Sequence, residues 1–303
     1  MESSAIEIQG LEKWYGAVHA LRGVDLSVKR GEILGFLGPN GAGKTTTIRC
    51  LLDQIRPSTG TIRVFGWDPK RHPTRVQEKA GYLPGELRLE GSMHVESLLS
   101  YLQELRGNRI DPDYLEDLVG RLDLDTSRKV KNLSSGNKQK IGIVQALMHQ
   151  PELLILDEPT SGLDPLMQQE VYQLLREAQS RGTTVFFSSH ILSEVEALAD
   201  RVAIIRKGKI VEESTPGQLI EMAMRRVVIS FLKPVDCAPL EDVDGVKLLS
   251  HGTEDQVTLR VEGHMDQLIK SLAAYPVKDM QTASHSLEEI FLKYYREDSK
   301  EEN

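Results

Sequence analysis

Cysteine is scarce: among 303 residues there are two, Cys50 and Cys237. They lie far apart and without ligand spacing, which gives no disulfide framework and no zinc site and fits a reducing cytosol. Long apolar runs are missing as well. The greasiest, such as residues 153–156, are strand-sized, far short of the roughly 20 residues a membrane-crossing helix needs, and the mean hydropathy is -0.31. Residues 1–10 lack a basic stretch followed by an apolar one, so no secretory signal is expected. Basic charge is in deficit. The 37 Lys and Arg against 45 Asp and Glu leave a net charge of -8, which argues against a general nucleic-acid binder. What remains is ordinary globular composition, 40% hydrophobic and 27% charged, with length for one large domain plus a small one.

The chain changes texture three times. Residues 5–65 read as short strands broken by glycines, with Ile6-Glu7-Ile8 and Val24-Asp25-Leu26-Ser27-Val28 alternating apolar and polar residues, as half-buried strands do. Within this stretch the apolar run Ile33-Leu34-Gly35-Phe36-Leu37 ends in a glycine-rich turn and then a helical pattern over 44–52. From about 86 to 150 the pattern is helical: Val95, Leu98, Leu99, Leu102 and Leu105 keep one face apolar, and Asp111-Pro112 reads as an N-cap with proline in the first turn. Continuous apolar strands return at 153–156 and 183–187, separated by a helix over 165–180, and Lys207-Gly208 reads as a hairpin turn. That alternation predicts an α/β fold with a parallel sheet and right-handed crossovers. Beyond about Leu219 the strands predicted at 227–232 and 256–261 mix with helices at 265–274 and 287–295, a small α+β appendage ending in a charged tail. The expected division is therefore 5–220, with a helical part at about 86–150, then 222–296 and a tail at 297–303.

Two segments carry chemistry on their own terms. Gly38-Pro39-Asn40-Gly41-Ala42-Gly43-Lys44-Thr45-Thr46 fits G-x-x-x-x-G-K-[ST] between a strand and a helix, the setting that pattern requires. Glycines let the backbone wrap so that N–H groups and the helix N-terminus point at phosphate oxygens. Lys44 adds charge for the β- and γ-phosphates, and the Thr45 hydroxyl is placed to ligate Mg²⁺. The second segment, Leu153-Leu154-Ile155-Leu156-Asp157-Glu158-Pro159, is a buried strand ending in two acids, which is costly unless they are paired or meet a cation. Asp157 reads as the acid on the Mg²⁺ side, and Glu158 as the acceptor of a proton from an attacking water. Together these make a phosphate-loop NTPase.

Between them stands Leu133-Ser134-Ser135-Gly136-Asn137-Lys138-Gln139, which resembles the LSGGQ signature of ABC ATPases. Further elements follow in that family's order: Ser161-Gly162-Leu163-Asp164 as the D-loop, then the switch histidine His190 after Ser188-Ser189, with Tyr15 upstream where the adenine-stacking aromatic belongs. The resemblance covers about residues 5–220. It implies an ABC-ATPase core with an antiparallel β subdomain and a helical subdomain, binding ATP and Mg²⁺. It further implies a second ATPase subunit, whose Ser134 and Gly136 close over the nucleotide held by the first. An integral membrane permease would dock the pair on the cytoplasmic face of the cell membrane. Ser286-Leu287-Glu288-Glu289-Ile290-Phe291-Leu292 resembles the accessory domain of ATPases serving type-2 exporters. A soluble or signalling ABC ATPase that moves no cargo is the alternative. The chain departs from the family at Ser135 and Asn137, where glycine and glutamine are usual, and at Gly85 in Tyr82-Leu83-Pro84-Gly85-Glu86, where the Q-loop glutamine would fall. Either Glu86 substitutes there, or the site works without that contact.

Overall fold

The computed structural model describes residues 4–283 apart from 88, 90, 108–109, 223–224, 241, 252–254 and 262–264. The segments at 286–292, 287–295 and 297–303 read above lie outside the described residues. Two compact units divide the chain, Met1–Thr215 and Pro216–Asn303.

In the first unit the chain runs β1 (Ser4–Tyr15), β2 (Val18–Lys29), β3 (Ile33–Leu37), α1 (Lys44–Leu51), β4 (Thr59–Val64), α2 (Pro73–Lys79), β5 (Ala80–Leu83), α3 (Val95–Leu105), α4 (Pro112–Arg121) and α5 (Ser135–Leu147). It continues through β6 (Leu153–Asp157), α6 (Pro165–Ser180), β7 (Thr184–Ser189), α7 (Leu192–Leu198), β8 (Arg201–Arg206) and β9 (Lys209–Ser214). A three-stranded antiparallel sheet has the order β2-β1-β4. A six-stranded sheet has the order β5-β6-β7-β3-β8-β9, parallel except for β9.

Burial follows from composition. Every residue of β3, β6 and β7 is buried, as their unbroken apolar runs require of strands covered on both faces. Strand β2 alternates buried and exposed residues from Val24 onward because only one face meets the core. Ile6, Ile8 and Leu26 of the small sheet share one apolar cluster with Phe36, Ile155, Phe186 and Ala203 of the large one. Full burial of each large side chain there contributes about 1.5–3 kcal/mol.

The helical stretch begins at Val95 rather than near 86. Asp111 caps α4 by accepting from the Asp113 N–H at 3.1 Å. At the other end of α4, Arg121 reaches α6, with Nη1 at 2.6 Å and Nη2 at 3.0 Å from the two Glu177 oxygens and Nε 2.5 Å from Glu170. Bidentate pairing of this kind fixes direction as well as distance, so α4 is clamped to the helix that follows β6.

The second unit holds α8 (Pro216–Met222), β10 (Arg225–Phe231), β11 (Val246–His251), β12 (Gln256–Val261), α9 (Asp266–Leu272) and β13 (Val277–Ala283). Its sheet is antiparallel in the order β11-β12-β10-β13. The core is its own: Val227, Ile229, Phe231, Val257 and Leu259 meet Leu268 and Leu272. Elements α2, β5, α8, β11 and β13 have no counterpart in the sequence pattern. Strand β5 is four residues long and contains a glycine, and β13 is an edge strand whose mid-section faces solvent, so neither carries an apolar run.

Candidate active site

The strand order builds the site. With β7 between β6 and β3, their carboxyl ends lie side by side, and the register pairs Asp157 with Ser188 and Leu37 with Ser189. Crevices beyond strand carboxyl ends are where open α/β sheets hold ligands. The chain leaves β3 through residues 38–43, pinned by Gly38 N–H to Ser189 O at 3.1 Å and by Gly208 N–H to Ala42 O at 2.9 Å. Glycine is required at two points. A Cβ on Gly38 would stand 2.4 Å from Ile205 O, and Gly43 has φ +116° with Leu21 Cδ2 2.7 Å from where its Cβ would be. Gly43 is also the α1 N-cap, and no side chain caps the helix there. The first-turn N–H groups of Lys44, Thr45 and Thr46 therefore lack intrahelical partners and carry the positive end of the helix dipole. Pro39, Asn40 and Gly41 are exposed above them, with Ala42 buried beneath.

The side chains of Lys44, Thr45, Asp157, Glu158 and His190 converge around this turn. Lys44 is only 5% exposed, its Nζ donating to Gly38 O at 2.7 Å and Pro39 O at 3.3 Å, with Glu158 Oε1 at 3.7 Å. Burial lowers its pKa, against the opposing pull of Glu158 and Asp157. Thr45 Oγ1 donates to Asp157 Oδ2 at 2.7 Å, and Ser188 Oγ donates to the other Asp157 oxygen. Glu158 follows with φ +52°, a left-handed conformation that a non-glycine residue adopts only when its surroundings hold it there. Its N–H is bound by Ser188 O and Oγ, both at 3.2 Å. His190 Nδ1 is 3.1 Å from Glu158 Oε1, and since a carboxylate can only accept, that nitrogen carries the proton in this contact.

The remaining predicted residues stand apart from this cluster. Tyr15, 45% exposed, sits beside the Gly16 turn at the tip of the β1–β2 hairpin, with Lys13 Nζ 5.1 Å from its ring centroid. Its neighbour Trp14 stacks on His19 at 3.6 Å. Ser134 caps α5, accepting from the Asn137 N–H at 3.3 Å and its side-chain amide at 3.2 Å. Gly136 rests on the loop after β6, where a Cβ would come within 2.7 Å of Gly162 O. Ser135, between them, is exposed.

Residues that the sequence reading gave no role hold this arrangement together. Glu194, buried on α7, accepts from Thr160 Oγ1 and Ser189 Oγ, so one carboxylate joins the turn before His190 to the turn after Glu158. Gln139 donates from α5 to the carbonyls of Glu158 and Pro159. A visible signal exists for the first: Glu194 is the acid in the first turn of the helix that follows His190.

Nucleotide and magnesium fit these residues. A buried ammonium resting on backbone carbonyls, uncapped helix N–H groups and an exposed glycine turn make an anion cradle. The Thr45 hydroxyl and Asp157 carboxylate form a hard oxygen pair, suited to a Mg²⁺ that completes its shell with phosphate and water. Gly85 abuts the same pair, since a Cβ there would lie 3.1 Å from Asp157 Oδ2. The position resembling the Q-loop glutamine thus faces the carboxylate and offers it no side chain.

Comparison with known proteins agrees with this geometry. Residues 21–161 match the ABC transporter family. The bacitracin transport ATP-binding protein BcrA of Bacillus licheniformis is 42% identical over 216 residues, covering 70% of each chain. The Nod factor export ATP-binding protein I of Burkholderia orbicola is 34% identical over 248 residues, covering 80% of this chain and 81% of its own. Among solved structures, an ATP-binding subunit of an ABC transporter superposes with a TM-score of 0.66 at 29% identity, over 71% of this chain and 92% of that one. A phosphate loop, a paired strand-end acid, and relatives of this likeness and coverage lead to one assignment: the chain belongs to the ABC transporter family, as one of its ATP-binding, ATP-hydrolysing subunits.

Proposed function

We propose that two such subunits close face to face on two ATP molecules, each phosphate loop covered by Ser134 and Gly136 of the other subunit. One observation carries this reading. Lys44, Thr45, Asp157, Glu158 and His190 gather in one crevice, while the Ser134 hydroxyl is engaged at the start of α5 with Asn137. Each chain thus has one half of a site and the complement of another. Gly38–Thr46 backbone groups and Lys44 hold the phosphates, and Tyr15 stacks on the adenine. Thr45 and Asp157 would hold Mg²⁺, which when bound would supply positive charge to the phosphates. Glu158 accepts the proton of the attacking water, and His190 orients Glu158 while contacting the γ-phosphate.

Among the described residues no helix is long and apolar enough to cross a membrane. In this reading the pore belongs to a separate integral membrane permease, which places the pair on the cytoplasmic face of the cell membrane. The direction is export, as in the name of the Nod factor relative. Residues 222–296 serve as the accessory domain, and nucleic acid has no part in the cycle. The test is size-exclusion chromatography of Glu158→Gln with Mg-ATP. Loss of the proton acceptor leaves ATP intact, so dimers accumulate. A variant with ATP bound that stays monomeric overturns the reading.

A further inference from the structure

Gln139 is an interior polar residue with a demanding task. It is 6% exposed, lies one turn into α5, and its Nε2 donates to Glu158 O and to Pro159 O, both at 3.0 Å. Both partners are carbonyls, so the amide must present its NH₂ to them, and no rotation of the side chain exchanges that role. The peptide it grips is the strained one. Glu158 holds φ +52°, and its other backbone ties run to Ser188 and to the Ser161 N–H at 3.2 Å. Such a conformation persists only when several contacts fix it together.

The helix on which Gln139 rides has little slack. A Cβ on Gly81 would fall 2.1 Å from Ala146 O, and one on Gly142 would fall 2.5 Å from Leu83 Cδ1. Helix α5 therefore lies against β5 at backbone distance. Its first turn rests on Gly162 through Gly136. The helix start that carries Ser134 and the peptide that aims Glu158 are thus joined by one side chain within a single packed body.

We propose that Gln139 is a positioning residue for hydrolysis: it holds the left-handed turn at Glu158 from α5, so that the helix presenting Ser134 also sets the aim of its own subunit's carboxylate. This rests on the reading of Glu158 as the proton acceptor. Gln139 touches neither nucleotide nor water in this scheme, so its loss acts on the chemical step and spares binding.

The experiment compares the wild type with Gln139→Met, which keeps the volume without donors, and Gln139→Asn, which keeps the amide on a shorter arm. Phosphate release gives kcat and KM, titration calorimetry gives ATP affinity, and single-turnover assays repeat the comparison in a Glu158→Gln background. For Gln139→Met we expect kcat to fall about 10- to 100-fold, the scale of a misaimed group, with KM and affinity within about twofold. Gln139→Asn should lose less. In the Glu158→Gln background Gln139→Met should cost nothing further, because two residues acting on one step are not additive. An unchanged kcat in Gln139→Met, or the same fold loss in both backgrounds, overturns the proposal. Where the Gln139→Met chain does not fold, wild-type kcat in Gln139→Asn overturns it as well. Should Glu158→Gln itself turn over normally, the underlying reading of Glu158 fails instead.

Discussion

His190 Nδ1 lies 3.1 Å from Glu158 Oε1, and the same oxygen lies 3.7 Å from Lys44 Nζ. One carboxylate is thereby held between a ring N–H and a buried ammonium, which leaves little freedom in where its second oxygen points. His190→Ala removes the outer of these two supports. Turnover should fall about 10²- to 10³-fold, the usual cost of losing one preorganised donor, while ATP affinity changes little. Steady-state phosphate release together with calorimetry checks both halves of that statement.

Lys44→Ala acts on the opposite side of Glu158 and should act on binding. The ammonium is buried on two backbone carbonyls, so nothing else in that position can neutralise a phosphate. Losing one or two charge-assisted hydrogen bonds costs roughly 1.5–3 kcal/mol each, a weakening of Mg-ATP affinity by about tenfold or more. Titration calorimetry measures it, and unchanged affinity would take the nucleotide away from this loop.

Glu86 stands exposed in the bend after β5, beside Gly85, whose Cα faces Asp157. In the isolated subunit Glu86→Ala, an exposed change expected to leave the fold within about 0.5 kcal/mol, should leave basal hydrolysis near the wild-type rate. Under the proposed reading, with Glu86 as a contact for the permease, stimulation of hydrolysis by the reconstituted permease should be lost. Rates with and without permease separate the two roles, and a variant normal in both removes Glu86 from the account.

His149 gives the first unit an acid limit. Its Nε2 lies 3.3 Å from Ala80 O, and burial, helped by the nearby Arg106 charge, pushes its pKa down from 6.5 to about 4. The unfolded chain binds a proton at this residue near pH 6.5, and the folded chain does so only near 4. Its contribution to stability is therefore complete above the unfolded value and declines as pH falls through that window, by roughly 2 kcal/mol once partial exposure is allowed for. Urea midpoints at about pH 7.5 and about pH 5, on either side of the ordinary histidine pKa, should diverge in the wild type, and His149→Gln should flatten that divergence.

Much of this was legible beforehand because it is written locally. Lys44 and Thr45 declare themselves by the glycines before them, and Asp157 by ending an apolar strand. The roles of Gln139, Thr160, Ser188 and Glu194 are not local. Thr160, Ser188 and Glu194 find partners 30 to 34 residues away, brought within reach by the placing of β7 beside β6, and Gln139 reaches 19 and 20 residues along the chain from α5. The left-handed backbone at Glu158 has no sequence signal at all, since neither a glycine nor an asparagine marks the position. Short or edge strands such as β5 and β13 escaped because their burial is decided by neighbours rather than by their own pattern.

The strand order also sets a timetable for biosynthesis. Because β7 lies between β6 and β3, a nascent chain that has emerged only to Asp157 holds its phosphate loop on a strand whose partners on both sides, β7 and β8, have yet to emerge. Parallel strands with apolar faces are exposed meanwhile, the condition in which partly made chains associate wrongly. Emergence of residues 184–189 closes the gap and brings the loop and the acids within reach of each other in a single step. Ribosome-bound chains arrested before and after that segment should accordingly differ sharply in protease resistance and in retention on immobilised ATP.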